Sequence, residues 1–419
     1  MWEKGGSDTD FRMNQNDTTK FDVAIVGGGP VGLATAIAMA QGGLSAALVA
    51  RKVPYGDNRT TALLGGSIDF LTALDVWRRC AAHAAPLQVM RLVDDTGRLI
   101  RAPEVRFSAE EIGAEAFGFN IENRILMTAL EERAAELDHL VRYDDEAAEI
   151  AADDDIVRIR TAGGQTFAAA LVAGADGKHS LSRKAAGISV KRRVLDQSAV
   201  TFNVSHTRPH RNISTEFHTS HGPCVFVPLP GDRSSVVWVT TPDNAARLAG
   251  LSDEALGTAA ERQSHSILGR MRAEASRHVF PLSIETPAAL AARRIALVGE
   301  AAHVVPPIGA QGLNIGLRDA ADIAAIVTRA RETGEDIGEE QILVRYVADR
   351  RADVFSRTFV IDMANRSLLS NLFPVQALRA LGMHLIESAG PVRRLAMREG
   401  LSPSWRSRAL PEGSDAKSG

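Results

Sequence analysis

The chain has 419 residues, more than one ordinary core holds, so its length implies two or three domains. It is 45% hydrophobic and 24% charged with a formal net charge of −3, which fits a globular protein. It carries neither the long apolar run of a membrane span nor the basic tract of a nucleic-acid surface. The two cysteines, Cys80 and Cys224, lie far apart and make no metal-ligand pair, which points to a reducing, cytoplasmic setting.

Residues 1–20 are polar, lack the apolar core of a signal peptide and read as a disordered tail, with Met13 as an alternative start. Phe21–Val26 (FDVAIV) reads as a buried parallel strand. It runs into Gly27-Gly28-Gly29-Pro30-Val31-Gly32 and then a helical stretch closed by Gly42-Gly43, and a second strand over Ser45–Ala50 completes a βαβ unit. Gly27 allows the tight turn, Gly29 lets the backbone approach a pyrophosphate, and Gly32 lets the helix pack on the sheet. The helix start at Pro30 and Val31 offers free N–H groups and a positive dipole end to phosphates. A glycine-rich turn that binds nothing is the plain alternative, but strand, helix and second strand together favour a dinucleotide. The second strand should end in a carboxylate for the ribose 2′-OH, and here it ends in Ala50-Arg51. The ribose is then held by Arg51 or by backbone. Arg51 also fits the 2′-phosphate of NADP, a reading the later motifs argue against.

Leu87–Val105 holds two strands around an Asp95-Thr96-Gly97 turn. Leu171–Ala175 is a short strand entering an Asp176-Gly177 turn, with Arg183 in the helix that follows. A plain turn aspartate is the alternative for Asp176. From Ala199 to about Phe280 the texture is of short β-branched and aromatic runs, VTFNVS, STEFHT, CVFVPLP and SSVVWVT, which read as antiparallel strands. His206, His210, His218 and His221 fall here. No cysteine or carboxylate set completes a metal site, so they read as surface or pocket histidines and no metal is expected.

Ile295–Val298 is another strand, ending in Gly299-Glu300 and followed by His303, Pro306, Pro307, Gly309, Gly312, Leu313 and Asn314, then a helix to about Arg329. Gly299 permits close approach to a ligand, and Glu300 can accept from a ribityl hydroxyl. Gly309 and Gly312 let the loop lie against a flat ring, and N–H groups from Gly312 to Asn314 would stabilise negative charge on a reduced flavin. Pro306 and Pro307 stiffen the pocket wall. His303 could orient the loop or touch substrate, and the plainer reading, a hydrogen-bonded histidine behind the loop, is preferred.

Residues 340–405 read as helical, divided by Pro374 and Pro391. Leu378–Arg408 carries six arginines against two glutamates. This stretch is either a packing helix with a solvated face or a contact for a membrane surface or partner complex. Residues 412–419 read as a second tail.

The three glycine-bearing stations together resemble the flavoprotein hydroxylase superfamily, the group containing para-hydroxybenzoate hydroxylase. Narrower similarity to its ubiquinone-biosynthesis branch lies in Arg59-Thr60-Thr61-Ala62-Leu63 with Ser67, in Glu122-Asn123-Arg124, in Gly309 to Asp319, and in Arg393 to Leu401. Two departures are Ala50 for the ribose acid and Glu300 where the family usually has Asp. The resemblance implies a Rossmann-like FAD-binding domain (21–86, 120–190 and 286–340), an inserted antiparallel-sheet substrate domain (87–119 and 191–285) and C-terminal helices (341–411). It implies FAD, with NAD(P)H and O2 as co-substrates, and a lipophilic polyprenylated phenol hydroxylated through a C4a-hydroperoxyflavin. Arg59 and Arg124 match positions that approach the FAD phosphates or ribose, with a surface salt bridge as the alternative for each. Asp176 matches the family's Asp-Gly site. The setting is cytoplasmic, with peripheral contact to the inner membrane as the sharper alternative. A flavin-dependent reductase of an isoprenoid or quinone, or a non-catalytic FAD-binding scaffold, remain as other readings. No residue of the sequence names itself as a catalytic base.

Overall fold

Five parallel strands carry the nucleotide motifs, in the order Ile295–Leu297, Thr166–Gly174, Lys20–Val26, Ala46–Val49 and Leu140–Tyr143. The computed structural model describes residues 19–52, 55–56, 58–97, 102–307 and 310–353, with Arg394 and Met397; the expectations for the tails, for Gly309 and for most of the C-terminal helices lie outside the described residues. Both central strands, KFDVAIV and TFAAALVAG, are almost wholly buried, as strands covered on both faces must be. Ala147–Ala152 and Val157–Thr161 extend this sheet as an antiparallel ribbon on Thr166–Gly174.

Two helices cover one another on this sheet. Pro30–Gln41 crosses Gln311–Glu332 where glycine removes the side chain: a Cβ on Gly316 would lie 2.6 Å from Val31 Cγ2, and one on Gly42 would overlap the Thr328 hydroxyl. The motif helix is buried almost all round and rich in alanine, so it packs as a core element with no polar face.

A second sheet has seven strands, in the order Met271–Pro287, Val190–His206, Arg233–Thr240, Gly222–Leu229, Ile213–Thr219, Val89–Asp94 and Val105–Ser108. The expected antiparallel pairing holds except at one seam, where Val89–Asp94 runs parallel to Ile213–Thr219. Those strands come from chain segments separated by much of the nucleotide unit, so no hairpin fixes their direction. Two helices unread in the sequence, Pro242–Ala249 and Asp253–Gln263, cover one face over Phe202, Phe217, Phe226 and Trp238. The other face looks toward the parallel sheet. The 17-residue strands Val190–His206 and Met271–Pro287 reach back to that side, where Glu285 clasps Val304 through both backbone hydrogen bonds. A small sheet of Thr60–Leu64, Gly118–Glu122 and Ala85–Pro86 joins the two: Thr60 Oγ1 donates to Ser235 Oγ at 2.7 Å and Asn120 Nδ2 to Pro228 O at 2.9 Å. The result is a mixed α/β fold with several sheets. Among the described residues no helix is long and apolar enough to cross a membrane.

Candidate active site

The three stations meet because their strands end side by side. Val26 is in register with Gly174, and Gly174 with Leu297. Beyond those positions the loops are stitched together: Ala175 N donates to Val26 O at 2.8 Å, Val298 N to Gly174 O at 2.9 Å, and Gly27 N to Val49 O at 3.0 Å. Motifs nearly 300 positions apart in sequence therefore occupy one edge, the carboxyl ends of parallel strands, where ligands bind in open α/β sheets. Arg183, which is buried, locks the second station to the third by donating to Lys178 O at 2.7 Å and to Ala301 O at 3.0 Å.

The glycines of the first loop divide into two kinds. A Cβ on Gly27 would strike the Ala175 carbonyl, and its φ of +112° is outside the range of ordinary residues; a Cβ on Gly32 would overlap Gly27 O. These two are required by the protein's own packing. A Cβ on Gly29 meets nothing within 4 Å, and the same holds at Gly312 and Gly177. Gly29 and Gly312 each begin a helix, so open space faces unpaired helix-start N–H groups at two places. That space suits a dinucleotide: phosphate against Gly29 and a flat ring against Gly312.

At the third station Gly299–Ala301 forms a short turn with Glu300 exposed on the cavity wall. Asn314 is fully buried, and its amide is used entirely as a bracket. Its Oδ1 accepts from Leu64 N at 2.9 Å and Ser67 Oγ at 2.7 Å, and its Nδ2 donates to Ala62 O at 2.8 Å and Ala310 O at 2.6 Å. Its side chain is thereby closed to a ligand, and the unpaired N–H groups of this helix start are those before it, at Gly312 and Leu313.

Beneath the turn lies a buried charge network. Asp319 accepts from Gly299 N at 2.9 Å, pairs with His303 Nε2 at 2.7 Å, and receives Arg350 Nε at 2.7 Å. Arg350, wholly buried, also reaches Asp322 at 3.0 Å and Asp353 at 2.9 Å. Burial pushes the Asp319 carboxyl up, but the charges of Arg350 and His303, with the His303 and Gly299 hydrogen bonds, outweigh it and hold the group below its usual range. His303 faces inward: it is 4% exposed and absent from the cavity lining, because its ring is drawn to Asp319.

One cavity of about 630 Å³ opens between the two sheets. One wall holds Thr60, Glu300, Pro306, Pro307, Gly312 and Leu313. The other is the free face of the seven-stranded sheet, mostly apolar through Met90, Leu92, Val225, Val227 and Val237.

The family described as "FAD binding domain" matches residues 20–356. The chain belongs to this FAD-dependent hydroxylase family. It is 32% identical over 387 residues to ubiquinone hydroxylase UbiL of Rhodospirillum rubrum, covering 91% of this chain and 89% of the relative. It is 29% identical over 390 residues to the 3-demethoxyubiquinol 3-hydroxylase of Escherichia coli, covering 91% and 98%. Among solved structures, p-nitrophenol 4-monooxygenase PnpA of Pseudomonas putida has the same fold, with a TM-score of 0.75 at 20% identity, covering 92% of this chain and 99% of that one. The enzyme is a flavoprotein monooxygenase that takes FAD as cofactor and NAD(P)H and O2 as co-substrates.

Around the flavoprotein's first loop the expected arginines are engaged elsewhere. Arg51 is exposed and 3.5 Å from Glu146, and Arg59 lies with its guanidinium 5.8 Å over the Phe280 ring. Arg124 donates to the buried Glu122 at 2.6 Å and lines a separate recess of about 520 Å³ with Tyr55 and Arg79. Asp176 accepts from Ser180 Oγ and from Ser182 N at 2.8 Å, so it shapes its own turn. Two contacts at the ribose side carry no sequence signal: Tyr55 OH donates to Gly28 O at 3.1 Å, and Arg142 pairs with Glu131 beside Ala50 and Gly28. Among the histidines of the seven-stranded sheet and its loops, His206 and His210 meet edge to face, 5.7 Å between ring centroids, away from His218. His206 bonds Ser234 at 3.0 Å and His210 the Leu229 carbonyl at 2.9 Å, while His218 faces the cavity beside Glu216.

Proposed function

We infer that this flavoprotein hydroxylates the ring of a polyprenylated phenol, a precursor of ubiquinone, as the names of its relatives suggest for them. One observation carries the reading: a single cavity has the flavin-motif loop as one wall and an apolar sheet face as the other. An isoalloxazine seated on the first wall would present its far face to an aromatic ring lying on Leu92, Val225 and Val237. The seven-stranded sheet with the 87–119 and 191–285 segments then serves as the substrate unit, inserted into an FAD-binding unit of 21–86, 120–190 and 286–340.

In this reading the pyrophosphate lies on the Gly27–Gly32 turn, with Pro30 and Val31 opening the helix that faces it. Glu300 accepts from the ribityl chain, and the helix-start N–H groups of Gly312 and Leu313, held in place by the Asn314 bracket, face the ring's carbonyl edge. On this reading Arg59 and Arg124 turn toward the diphosphate from Phe280 and Glu122, and Asp176-Gly177 supports the ribityl end. Bound FAD, reduced by NAD(P)H, supplies the activation of O2. The protein's contribution is to exclude water: Pro306 and Pro307 stiffen one wall, and valines form the other. An isoprenoid tail needs a membrane source, which supports peripheral contact with the inner membrane through basic C-terminal residues.

The test is oxygen isotope incorporation. Purified holoenzyme given NADH or NADPH, a short-chain prenylphenol and ¹⁸O2 should yield product carrying one labelled oxygen. Equal turnover in the absence of air would instead establish a reductase.

A further inference from the structure

On the sheet wall of the cavity two titratable side chains that the FAD-binding motifs do not use are hydrogen-bonded to each other. Glu216 and His218 are two residues apart on the strand Ile213–Thr219, so both point to the cavity face, and His218 Nε2 lies 2.9 Å from Glu216 Oε1. A carboxylate only accepts hydrogen bonds, so Nε2 carries the proton in this pair. Nδ1 receives no hydrogen bond from any described residue and is left with its lone pair.

The other charged groups facing this pair come from neighbouring elements. Asp94, in register with His218 on the adjacent strand, is committed to its own turn, accepting from Thr96 Oγ1 at 2.6 Å and Ala102 N at 2.9 Å. Arg91 is bound to Glu104 at 2.7 Å, and Glu300 lies on the opposite, flavin-motif wall. Glu216 stands in the row formed by Leu92, Val225 and Val237 across the sheet, while His218 stands in the next row beside Asp94, so the pair lies where the apolar part of the wall meets its polar edge.

We propose that His218 is the catalytic base that takes the proton of the substrate's phenolic hydroxyl, and that Glu216 is the positioning residue that holds its ring. The proposal rests on the hydroxylase reading above. A phenol ionises near pH 10, so at neutral pH only about one molecule in a thousand is phenolate. The phenolate ring is the stronger nucleophile toward an electrophilic oxygen. In the step, the phenol O–H bond breaks and an N–H bond forms at His218 Nδ1. The products are a phenolate and an imidazolium, whose positive charge is balanced by Glu216 through Nε2. The proton returns to the hydroxylated ring before release, so no other reactant is consumed. The arrangement of base and orienting carboxylate is that of general-base sites elsewhere.

The experiment uses FAD-loaded enzyme and 2-geranylphenol. Wild type, His218→Gln and Glu216→Gln are compared for FAD content, for the ultraviolet titration of bound phenol to phenolate without NAD(P)H, and for kcat and KM against pH. His218→Gln should keep its FAD, raise the pH at which bound phenol ionises, and lower kcat near neutrality about 100-fold with little change in KM. Its rate should recover as pH rises toward the phenol's own ionisation. Glu216→Gln, which leaves the imidazole in place, should show a smaller shift in the same direction, and it decides the matter if His218→Gln does not fold. Unchanged phenol titration and an unchanged pH profile in both variants would overturn the assignment of the pair. A wild-type enzyme that does not bind the phenol at all would instead overturn the substrate reading, and the base with it.

Discussion

Asn314 Oδ1 accepts a hydrogen bond from the Leu64 backbone N–H at 2.9 Å, joining residues 250 positions apart. With Ser67, Ala62 and Ala310 on its remaining valences, this amide fixes the start of the long helix Gln311–Glu332 against the small-sheet strand Thr60–Leu64. The helix-start N–H groups face the cavity only while that bracket holds. Asn314→Ala should therefore strand several buried polar groups, costing about 1–3 kcal/mol. It should also weaken FAD binding, although the polar atoms of the side chain are all used within the protein. Melting temperature and FAD titration by fluorescence quenching read both effects. Wild-type values for the pair would show that the bracket is dispensable.

The glycine loop separates ligand space from packing space. Gly29→Asp adds a side chain where the protein has nothing within 4 Å, so the apoprotein should melt normally. On the proposed placement of the pyrophosphate the new carboxylate takes its position, so the preparation should be colourless and refuse added FAD. Gly32→Ala, by contrast, collides with Gly27 O and should destabilise the apoprotein outright. Full FAD content in Gly29→Asp would remove the phosphate from this loop.

Much of this site is legible in the chain. FDVAIV before three spaced glycines, and a strand ending at Gly299-Glu300, could be read because buried parallel strands are continuous apolar runs and their carboxyl ends must turn on glycine. What the sequence concealed was set by tertiary pairing. Nothing local makes Val89–Asp94 run parallel to Ile213–Thr219. The helices Pro242–Ala249 and Asp253–Gln263 did carry a signal, the caps Thr241 and Ser252, but it was lost among flanking strand-like runs. The partner of His303 could not be named because Asp319 lies 16 positions on, and only the helix geometry of Gln311–Glu332 brings that carboxylate under the turn.

The network under the turn should set acid stability. Asp319 has a lowered pKa in the folded state, so its stabilising contribution is present above the ordinary carboxylate range and is lost as pH falls through the folded value. Its acid unfolding limb should become shallower in Asp319→Asn. Arg350→Met leaves Asp319 and Asp353 buried without their shared cation, and should cost about 3–5 kcal/mol at neutral pH. Denaturant titrations across pH measure both. An unaltered midpoint in Arg350→Met would show that the network is not a stabilising element.

Neither thiol should react in the native protein. Cys80 is fully buried and burial pushes its pKa up to about 11, while Cys224, buried in the sheet core, is raised further by burial and by the nearby Asp95 and Glu216 carboxylates. Thiolate is the reactive form, so a disulfide-exchange reagent at pH 8 should label neither residue until denaturant is added. Rapid native labelling of one equivalent would mean that its surroundings open far more readily than the packing implies.

Glu300 allows the sharpest separation of cofactor binding from folding. It is exposed on the cavity wall, whereas its neighbours Gly299 and Ala301 are buried, so its carboxylate is available to a ligand hydroxyl at little cost to the protein. Glu300→Ala should leave the melting temperature of the apoprotein unchanged and weaken FAD affinity, by roughly tenfold for one lost hydrogen bond to a charged group. Glu300→Asp keeps the charge and shortens the reach by one methylene; it should fall between the two, since the backbone of the turn is held by Asp319 through Gly299 N rather than by residue 300. FAD affinity equal to wild type in Glu300→Ala would place the ribityl contact on another residue while leaving the glycine cradle intact.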